Sequence, residues 1–179
     1  MLADLGATVI DADRVGHETY VPGTVGFTRV VEAFGERIVG TDGAIDRRQL
    51  GAIVFADPAA LARLNAIVHP LIFELVGARL QAAVAAGTGP VVVEAALLVE
   101  AGWDALVDAV WVVVARREVI EGRLRAQRGM DPTAIAARMR AQLSDAERAA
   151  RADVVIDNSG SLDALRAEVE RLWRAHLLE

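Results

Sequence analysis

Two aspartates, Asp11 and Asp13, follow a short apolar run and have the residue type and spacing needed for acid–base or metal chemistry. The run, residues 8–10, is Thr-Val-Ile, and a continuous apolar stretch with β-branched residues favours a strand covered on both faces. In open α/β sheets ligands bind at the carboxyl ends of the strands, where two carboxylates can serve as a general base or as metal ligands. The alternative is structural, because Asp13 can instead cap a helix over residues 14–20.

Two further residues, His69 and Glu94, are candidates for binding a ligand or a metal ion. His69 precedes Pro70 within the longest predicted helix, and a proline inside a helix removes a backbone donor and predicts a kink. His69 therefore either contacts a phosphate or ribose at the mouth of a cleft or is a partly buried helix residue. Glu94 ends a valine-rich strand, residues 91–93, and either helps to hold magnesium or is a solvated loop acid.

Arginines are concentrated on two consecutive predicted helices that are separated by Gly129. The first helix spans residues 116–128 and the second starts at Asp131. Two such helices around a tight break resemble a mobile lid that closes over polyphosphate, since arginine makes bidentate contacts with phosphate oxygens. The alternative is two solvated helix faces whose arginines pair with Glu118 and Glu121.

The composition narrows the class of protein: 179 residues, 54% hydrophobic and 25% charged, describe one globular domain. A net charge of −6 argues against general nucleic-acid binding, and the lack of cysteine excludes disulfides and thiolate zinc sites. All 19 basic residues are arginine, so a Walker A loop, which needs lysine, is excluded within these residues. No apolar run approaches the roughly 20 residues of a membrane span and no signal peptide is apparent, so we expect a cytoplasmic protein.

Short predicted strands alternate with helices along the whole chain. This alternation predicts a parallel sheet with helices on both faces. The predicted strands are residues 8–10, 91–93, 108–115 and 154–156. The predicted helix caps are Gly6 and Gly129 at C-termini and Thr24, Asp46, Asp145 and Ser161 at N-termini.

Six short segments of the sequence, taken in their order and spacing, are specific for one protein family although no single segment is. Taken together the segments resemble the dephospho-CoA kinase family, and the resemblance covers about residues 3–173. The segments are Val-Ile-Asp-Ala-Asp (9–13), Val-Phe-Ala-Asp-Pro (54–58), His-Pro-Leu-Ile (69–72), Leu-Leu-Val-Glu-Ala-Gly (97–102), Arg-Met-Arg-Ala-Gln (138–142) and Ala-Asp-Val-Val-Ile-Asp-Asn-Ser-Gly (152–160).

That resemblance implies an α/β fold of the P-loop kinase type, with a parallel sheet flanked by helices and with helical substrate-binding and lid regions. The implied reaction transfers the γ-phosphoryl group of ATP, with Mg²⁺, to the 3′-hydroxyl of dephospho-CoA, the last step of coenzyme A synthesis. The expected partners are these small molecules, with neither nucleic acid nor membrane, and we expect a monomer or a weak oligomer. The single domain over 1–179 would comprise a core (1–20, 88–115 and 145–179), acceptor-binding helices (21–87) and a lid (116–144).

The resemblance also implies roles for individual residues. Asp13 matches the base that accepts the proton of the acceptor hydroxyl, and Asp11 lies beside it. The remaining implied assignments are Asp11 and His69 to the acceptor, Arg128 and Arg138 to the lid over the phosphates, Asn158 to the loop near the adenine, and Glu94 to magnesium.

The chain departs from the family's pattern in two places. The family carries Asp-x-Pro before its Leu-Leu pair, where Glu94 and Ala96 stand here. The family's first strand and its glycine-rich phosphate loop belong immediately before Leu2, and we expect both to be missing from these 179 residues. Because phosphoryl transfer depends on positioning and charge stabilisation, we expect the 179-residue chain to be inactive and poorly stable and an upstream-extended form to be the working kinase. Two alternatives remain, a non-catalytic module that binds a CoA-like ligand or nucleotide, and a small-molecule kinase of the nucleoside monophosphate type.

Overall fold

A computed structural model describes residues 1–140 and 142–176, except for the side chains of residues 138 and 140. The chain divides into two compact units, a first unit Ala7–Ala96 and a second unit made of Met1–Gly6 and Leu97–Glu179. The functional division into core, acceptor and lid regions remains a prediction. The strands and longer helices are β1 (Thr8–Asp11), α1 (Ala12–Glu18), α2 (Val25–Phe34), α3 (Arg47–Ala56), α4 (Pro58–Ala85), β2 (Val91–Glu94), β3 (Trp111–Val114), α5 (Arg117–Arg128), α6 (Pro132–Arg140), α7 (Asp145–Ala149), β4 (Val154–Asp157) and α8 (Leu162–His176).

The sheet of the first unit consists of two short parallel strands, β1 and β2, each of which ends in an acidic residue. Asp11 is paired in register with Glu94. Parallel pairing is confirmed, but the prediction of burial on both faces is wrong, because Val9 is 39% exposed while Ile10 is buried. Successive side chains of a strand point to opposite faces, so an unbroken apolar run does not show by itself that both faces are covered.

Helix α4 is the centre of the first unit, since α1, α2 and α3 each pack against it. Its buried side includes Val68, Ile72 and Val76, which recur every four residues and therefore share one helix face. A Cβ placed on Gly16 of α1 would lie 3.1 Å from the Ile72 side chain, so the two helices are in close contact. The helix continues through Pro70 as one element of 28 residues.

By length and composition α4 is also able to cross a membrane. Charged residues at positions 63, 74 and 79 interrupt the helix, so it meets this test without containing a continuous apolar run of the predicted length. The core helix of a protein outside membranes passes the same test. Within its unit α4 contacts three helices, and its Arg79 forms an ion pair with Glu18 of α1. The absence of membrane contact remains a prediction.

The sheet of the second unit is the parallel pair β3 and β4. Helix α8 packs on β4, where Val169 joins Val154 and Ile156 in a buried cluster. The N-terminal turn ends at Gly6, whose φ of 96° confirms the predicted C-cap. The hydrophobic side chains that pack against the cluster from this turn are Met1, Leu2 and Leu5.

Three predictions for the strands and caps are corrected by the structure. The described strands form two two-stranded sheets instead of one sheet. Strand β3 begins at Trp111, later than predicted, and it is not buried throughout, since Val113 is 50% exposed. The N-cap of α7 is Ser144, one residue before the predicted Asp145, because the Ser144 hydroxyl accepts a hydrogen bond from the Glu147 N–H at 3.2 Å. The Glu147 carboxylate accepts in return from the Ser144 N–H at 2.8 Å, a reciprocal capping box.

Candidate active site

The two aspartates at the end of β1 have different surroundings. Helix α1 begins at Ala12, and Asp11 is its N-cap, with a carboxylate oxygen that accepts a hydrogen bond from the Arg14 N–H at 2.9 Å. The alternative in which Asp13 caps the helix is therefore wrong. Asp13 is exposed in the first turn, where the helix dipole favours a negative charge. Its carboxylate accepts no hydrogen bond from any residue that the structure describes, so it is available to a ligand.

The carboxylates of Asp11 and Glu94 stand at paired positions on the last residues of β1 and β2, and both are exposed. Mg²⁺ is commonly held in proteins by one or two carboxylates together with water and the phosphates of a substrate. These two side chains fit a site of that kind. Within the described part of the chain, no group of three or more acidic, histidine or cysteine ligands is present. The residues therefore suit an ion shared with a bound nucleotide and not a site built from protein ligands alone.

A histidine one helical turn from Asp13 contacts a tyrosine and lies near an arginine. His17 follows Asp13 by one helical turn, and its ring meets that of Tyr20 edge to face, with centroids 6.3 Å apart. Arg47, the first residue of α3, lies close enough for its charge to act on both Tyr20 and His17. These three residues are not among the predicted site residues. The sequence could have indicated His17, because it follows Asp13 by four residues and so lies on the same face of a helix. It could not have indicated Arg47, whose approach to His17 and Tyr20 depends on how the helices pack on α4.

The electrostatics of this cluster follow from burial and from Arg47. Burial and the Arg47 charge hold the pKa of His17 below its ordinary value, against the opposing effects of Asp13 and Asp11. Burial also raises the pKa of Tyr20. At pH 7 His17 is therefore neutral, and Arg47 supplies the positive charge of the cluster.

An open hollow of about 700 Å³ lies against α3. Its lining includes two guanidinium groups, those of Arg47 and Arg48, and the ring of Phe55, which is 82% exposed. Guanidinium groups bind phosphate oxygens in bidentate fashion, and an exposed ring offers an apolar contact. The hollow is therefore suited to a ligand that has both an anionic and an apolar part.

His69 lies on α4 next to Val68, which faces the core, and is itself half-buried. Burial lowers the pKa of His69 below its ordinary value. The imidazole is therefore neutral at pH 7. A contact between His69 and an acceptor molecule remains a prediction.

Part of the arginine-rich surface of α5 is paired on the helix itself. Arg117 and Arg125 both contact Glu121, at 2.9 Å and 3.4 Å, each one turn away. For these two arginines the alternative of a solvated, internally paired helix face is confirmed. Exposed pairs of this kind contribute little to stability.

The remaining lid predictions concern Arg128 and Arg138. Arg128 is the exposed last residue of α5, which ends as predicted at Gly129, where φ is 59°. It forms no salt bridge with any of the described residues, so its guanidinium is available to a ligand. The backbone of α6 includes position 138, but the side chain of Arg138 lies outside the described residues.

Asn158 begins the loop that follows β4. Its backbone N–H donates to the carbonyl of Val114 at 2.7 Å, which extends the pairing of β3 with β4. Its carbonyl accepts a hydrogen bond from the guanidinium of Arg123 at 2.7 Å. The loop is therefore fixed at the carboxyl ends of both strands of the second unit.

The structure brings Asp11, Asp13 and Glu94 together at the carboxyl ends of β1 and β2 in the first unit. Arg128 and Asn158 belong to the second unit. An approach of the lid arginines to Asp13 remains a prediction.

Comparison with known protein families tests the resemblance found in the sequence. The family model described as dephospho-CoA kinase matches residues 1–164. The chain belongs to the dephospho-CoA kinase family. The resemblance carried by the ordered segments from residue 9 to residue 160 is thereby confirmed.

Individual dephospho-CoA kinases are similar over nearly the whole chain. The enzyme of Symbiobacterium thermophilum is 46% identical over 175 residues, which cover 98% of this chain and 73% of the relative. That of Geobacter sulfurreducens is 45% identical over 173 residues, with 97% and 88% covered. The crystal structure of TT1252 from Thermus thermophilus matches with a TM-score of 0.78 and 31% identity over 97% of this chain and 87% of that chain. The dephospho-CoA kinase from Campylobacter jejuni shares the fold, with a TM-score of 0.70 and 24% identity over 96% and 86%. The P-loop kinase fold is confirmed.

Proposed function

We propose that the protein transfers the γ-phosphoryl group of ATP to the 3′-hydroxyl of dephospho-CoA, with Asp13 as the base. The observation that carries this proposal is the exposed carboxylate of Asp13 at the carboxyl end of β1, which no cap or ion pair occupies among the described residues. A carboxylate in such a position can take the proton of a hydroxyl group bound beside it.

In the proposed step a carboxylate oxygen of Asp13 accepts the proton of the 3′-hydroxyl. The hydroxyl oxygen bonds to the γ-phosphorus, the bond from that phosphorus to the bridging oxygen breaks, and ADP leaves. Magnesium, when bound, neutralises phosphate charge, and Glu94 would hold it together with Asp11. Asp11, beside Asp13, would also contact the acceptor. Arg128 and Arg138 would contact the phosphates, and the loop at Asn158 would contact the adenine. Positioning and charge stabilisation carry most of the catalysis in phosphoryl transfer.

The acceptor would occupy the first unit, against the helices of residues 21–87. Dephospho-CoA combines an anionic diphosphate with a long and partly apolar arm. The hollow beside α3 offers Arg47 and Arg48 to the diphosphate and Phe55 to the arm. His69, neutral through burial, would contact the acceptor. The proposal places this reaction in the cytoplasm, in a monomer or a weak oligomer without nucleic-acid or membrane partners.

A phosphate-binding loop is the part of this machinery that the 179 residues do not contain, since they include no lysine. We therefore propose that these residues alone give no turnover, and that a chain extended upstream with the family's glycine-rich loop gives turnover and unfolds at higher urea. Equal turnover and equal stability of the two chains would contradict this part of the proposal.

A coupled assay of ADP release tests the proposed reaction directly. The extended chain is given ATP with dephospho-CoA, and in parallel with nucleoside monophosphates. We expect turnover with dephospho-CoA and a product phosphorylated at the 3′-oxygen. A preference for a nucleoside monophosphate would favour the other kinase class. Binding of both substrates without turnover would favour a non-catalytic module.

A further inference from the structure

The loop of residues 157–160 and the beginning of α5 lie at the same edge of the second unit. The loop follows β4 and α5 follows β3, and these strands are parallel neighbours, so both segments start at the carboxyl ends of the strands. Ligands of open α/β sheets bind at this edge.

Arg123, in the second turn of α5, holds the loop through two backbone carbonyl groups. One terminal nitrogen donates to the carbonyl of Asn158 at 2.7 Å, and the other donates to the carbonyl of Gly160 at 3.0 Å. Hydrogen bonds from a charged donor are stronger than neutral ones, and the planar guanidinium fixes both acceptors at once. The conformation of the loop therefore depends on a side chain that lies 35 residues away in sequence.

One further hydrogen bond joins the same segments, and another lies within the loop. The hydroxyl of Ser159 accepts from the Arg116 N–H at 2.8 Å, directly before α5. The Ser159 N–H donates to the Asp157 carboxylate, also at 2.8 Å. The loop is thus held by α5 and by the residue before it at three consecutive positions, 158–160.

The contacts of the Arg123 guanidinium differ from those of the neighbouring arginines on α5. Arg117 and Arg125 are paired with Glu121, whereas Arg123 contacts only carbonyl oxygens and forms no ion pair with the described residues. Its guanidinium charge therefore lies beside the loop, next to two backbone carbonyl groups. Such a charge also favours the approach of an anionic nucleotide.

We propose that Arg123 is a positioning residue for the nucleotide: it fixes the loop of residues 157–160 in the conformation that recognises the base and couples that loop to the arginine-bearing helix α5. This inference rests on the proposed function, in which the loop contacts the adenine. It assigns Arg123 no contact with the reacting atoms. Its effect is therefore expected in nucleotide affinity and in discrimination between bases, and not in acceptor binding.

The test measures affinities of the 179-residue chain for ATP, GTP and dephospho-CoA by ligand-observed NMR. Four variants are compared: Arg123→Gln removes both hydrogen bonds, Arg123→Lys keeps the charge, Ser159→Ala weakens the loop at a different atom, and Arg125→Gln is the matched control. Circular dichroism melts establish that each variant is folded. If Arg123→Gln fails to fold, Ser159→Ala and Arg123→Lys decide the result.

We expect Arg123→Gln to weaken ATP binding about tenfold, a factor that corresponds to about 1.4 kcal/mol. The ratio of ATP to GTP affinity should also change, because the loop that contacts the base is altered. Arg123→Lys should recover part of the loss, Ser159→Ala should show a smaller loss in the same direction, and Arg125→Gln should match the wild type. Dephospho-CoA binding should be unchanged in all four variants.

The positioning role is overturned if the wild type binds ATP and the affinities and base discrimination of Arg123→Gln match those of Arg125→Gln. It is equally overturned if Ser159→Ala and Arg123→Lys are both indistinguishable from the wild type. If the wild-type 179-residue chain binds neither ATP nor adenosine at millimolar concentration, the same variants are compared in the upstream-extended chain, because the phosphate-binding loop is absent from these residues. An extended wild-type chain that binds neither would refute the nucleotide site of the proposed function, and the role of Arg123 with it. The two failures are therefore distinguishable.

Discussion

Replacing Gly26 with alanine is expected to lower the free energy of unfolding by about 3 kcal/mol, because α2 packs through this glycine on the turn that follows α1. A Cβ at position 26 would lie 2.0 Å from the carbonyl oxygen of Thr19 and 3.0 Å from a methyl carbon of Leu71. The first of these partners is backbone and cannot rotate away. The contact therefore helps to fix the end of the helix that carries Asp13.

The expected magnitude follows from the displacement that the new methyl group requires. Ordinary contact begins at about 3.4 Å, so α2 must move by more than an ångström, and overpacking of this kind costs up to about 3 kcal/mol. The movement also separates the Thr24 hydroxyl from the Thr19 carbonyl, now 2.9 Å apart, a loss of about 1 kcal/mol. The better helix propensity of alanine offsets about 1 kcal/mol.

Urea unfolding of Gly26→Ala and of a matched control, Gly51→Ala, measures the effect. Gly51 also lies within a helix of the first unit, but a Cβ there would lie 3.5 Å from the Phe55 ring, which is ordinary contact. The control should gain roughly 0.5–1 kcal/mol from helix propensity. If Gly26→Ala is as stable as the wild type, the described packing of α2 on the turn after α1 is wrong.

Two further changes are expected to alter stability. Because burial is the main cause that lowers the pKa values of His17 and His69, the unfolded chain takes up protons more readily, and the free energy of unfolding should fall as the pH decreases below about 6.5. Urea unfolding between pH 7.5 and pH 5.5 measures this slope, and a double histidine-to-glutamine variant that keeps the full slope would contradict it. Ser144→Ala removes one half of the capping box with Glu147 and should cost about 1 kcal/mol in the same assay, whereas Ser144→Asp, another good cap, should cost little. Equal losses in both variants would show that the cap is not the cause.

Features that depend on residues close in sequence could be predicted. Thr24 caps α2 by accepting a hydrogen bond from the Phe27 N–H, and Asp46 caps α3, both as expected. Each cap is a contact across two or three residues, so the sequence contains both partners. The same locality explains why the start of α1 was harder to assign, since Asp11 and Asp13 both have the right side chain for an N-cap.

Contacts between distant residues could not be predicted from spacing. Nothing in the sequence around Arg123 distinguishes it from the other arginines of α5. Its contact with the loop at Asn158 arises only because β3 pairs with β4. Likewise, Arg47 reaches Tyr20 only because α1 and α3 pack on a common helix. The alternation of buried and exposed positions along the strands could not be predicted from the valine runs. Both faces of such a short strand carry the same residue type, so the sequence does not show which face is buried.

The most direct test of Asp13 as the base is the rate of phosphoryl transfer to dephospho-CoA by the upstream-extended chain carrying Asp13→Asn. The matched control is Asp163→Asn, which changes an exposed aspartate in the first turn of α8. We predict that Asp13→Asn lowers kcat by roughly 10²- to 10⁴-fold, the usual contribution of a general base, with little change in the KM for either substrate. The control should keep the wild-type rate. An Asp13→Asn variant that turns over as fast as Asp163→Asn would contradict the account.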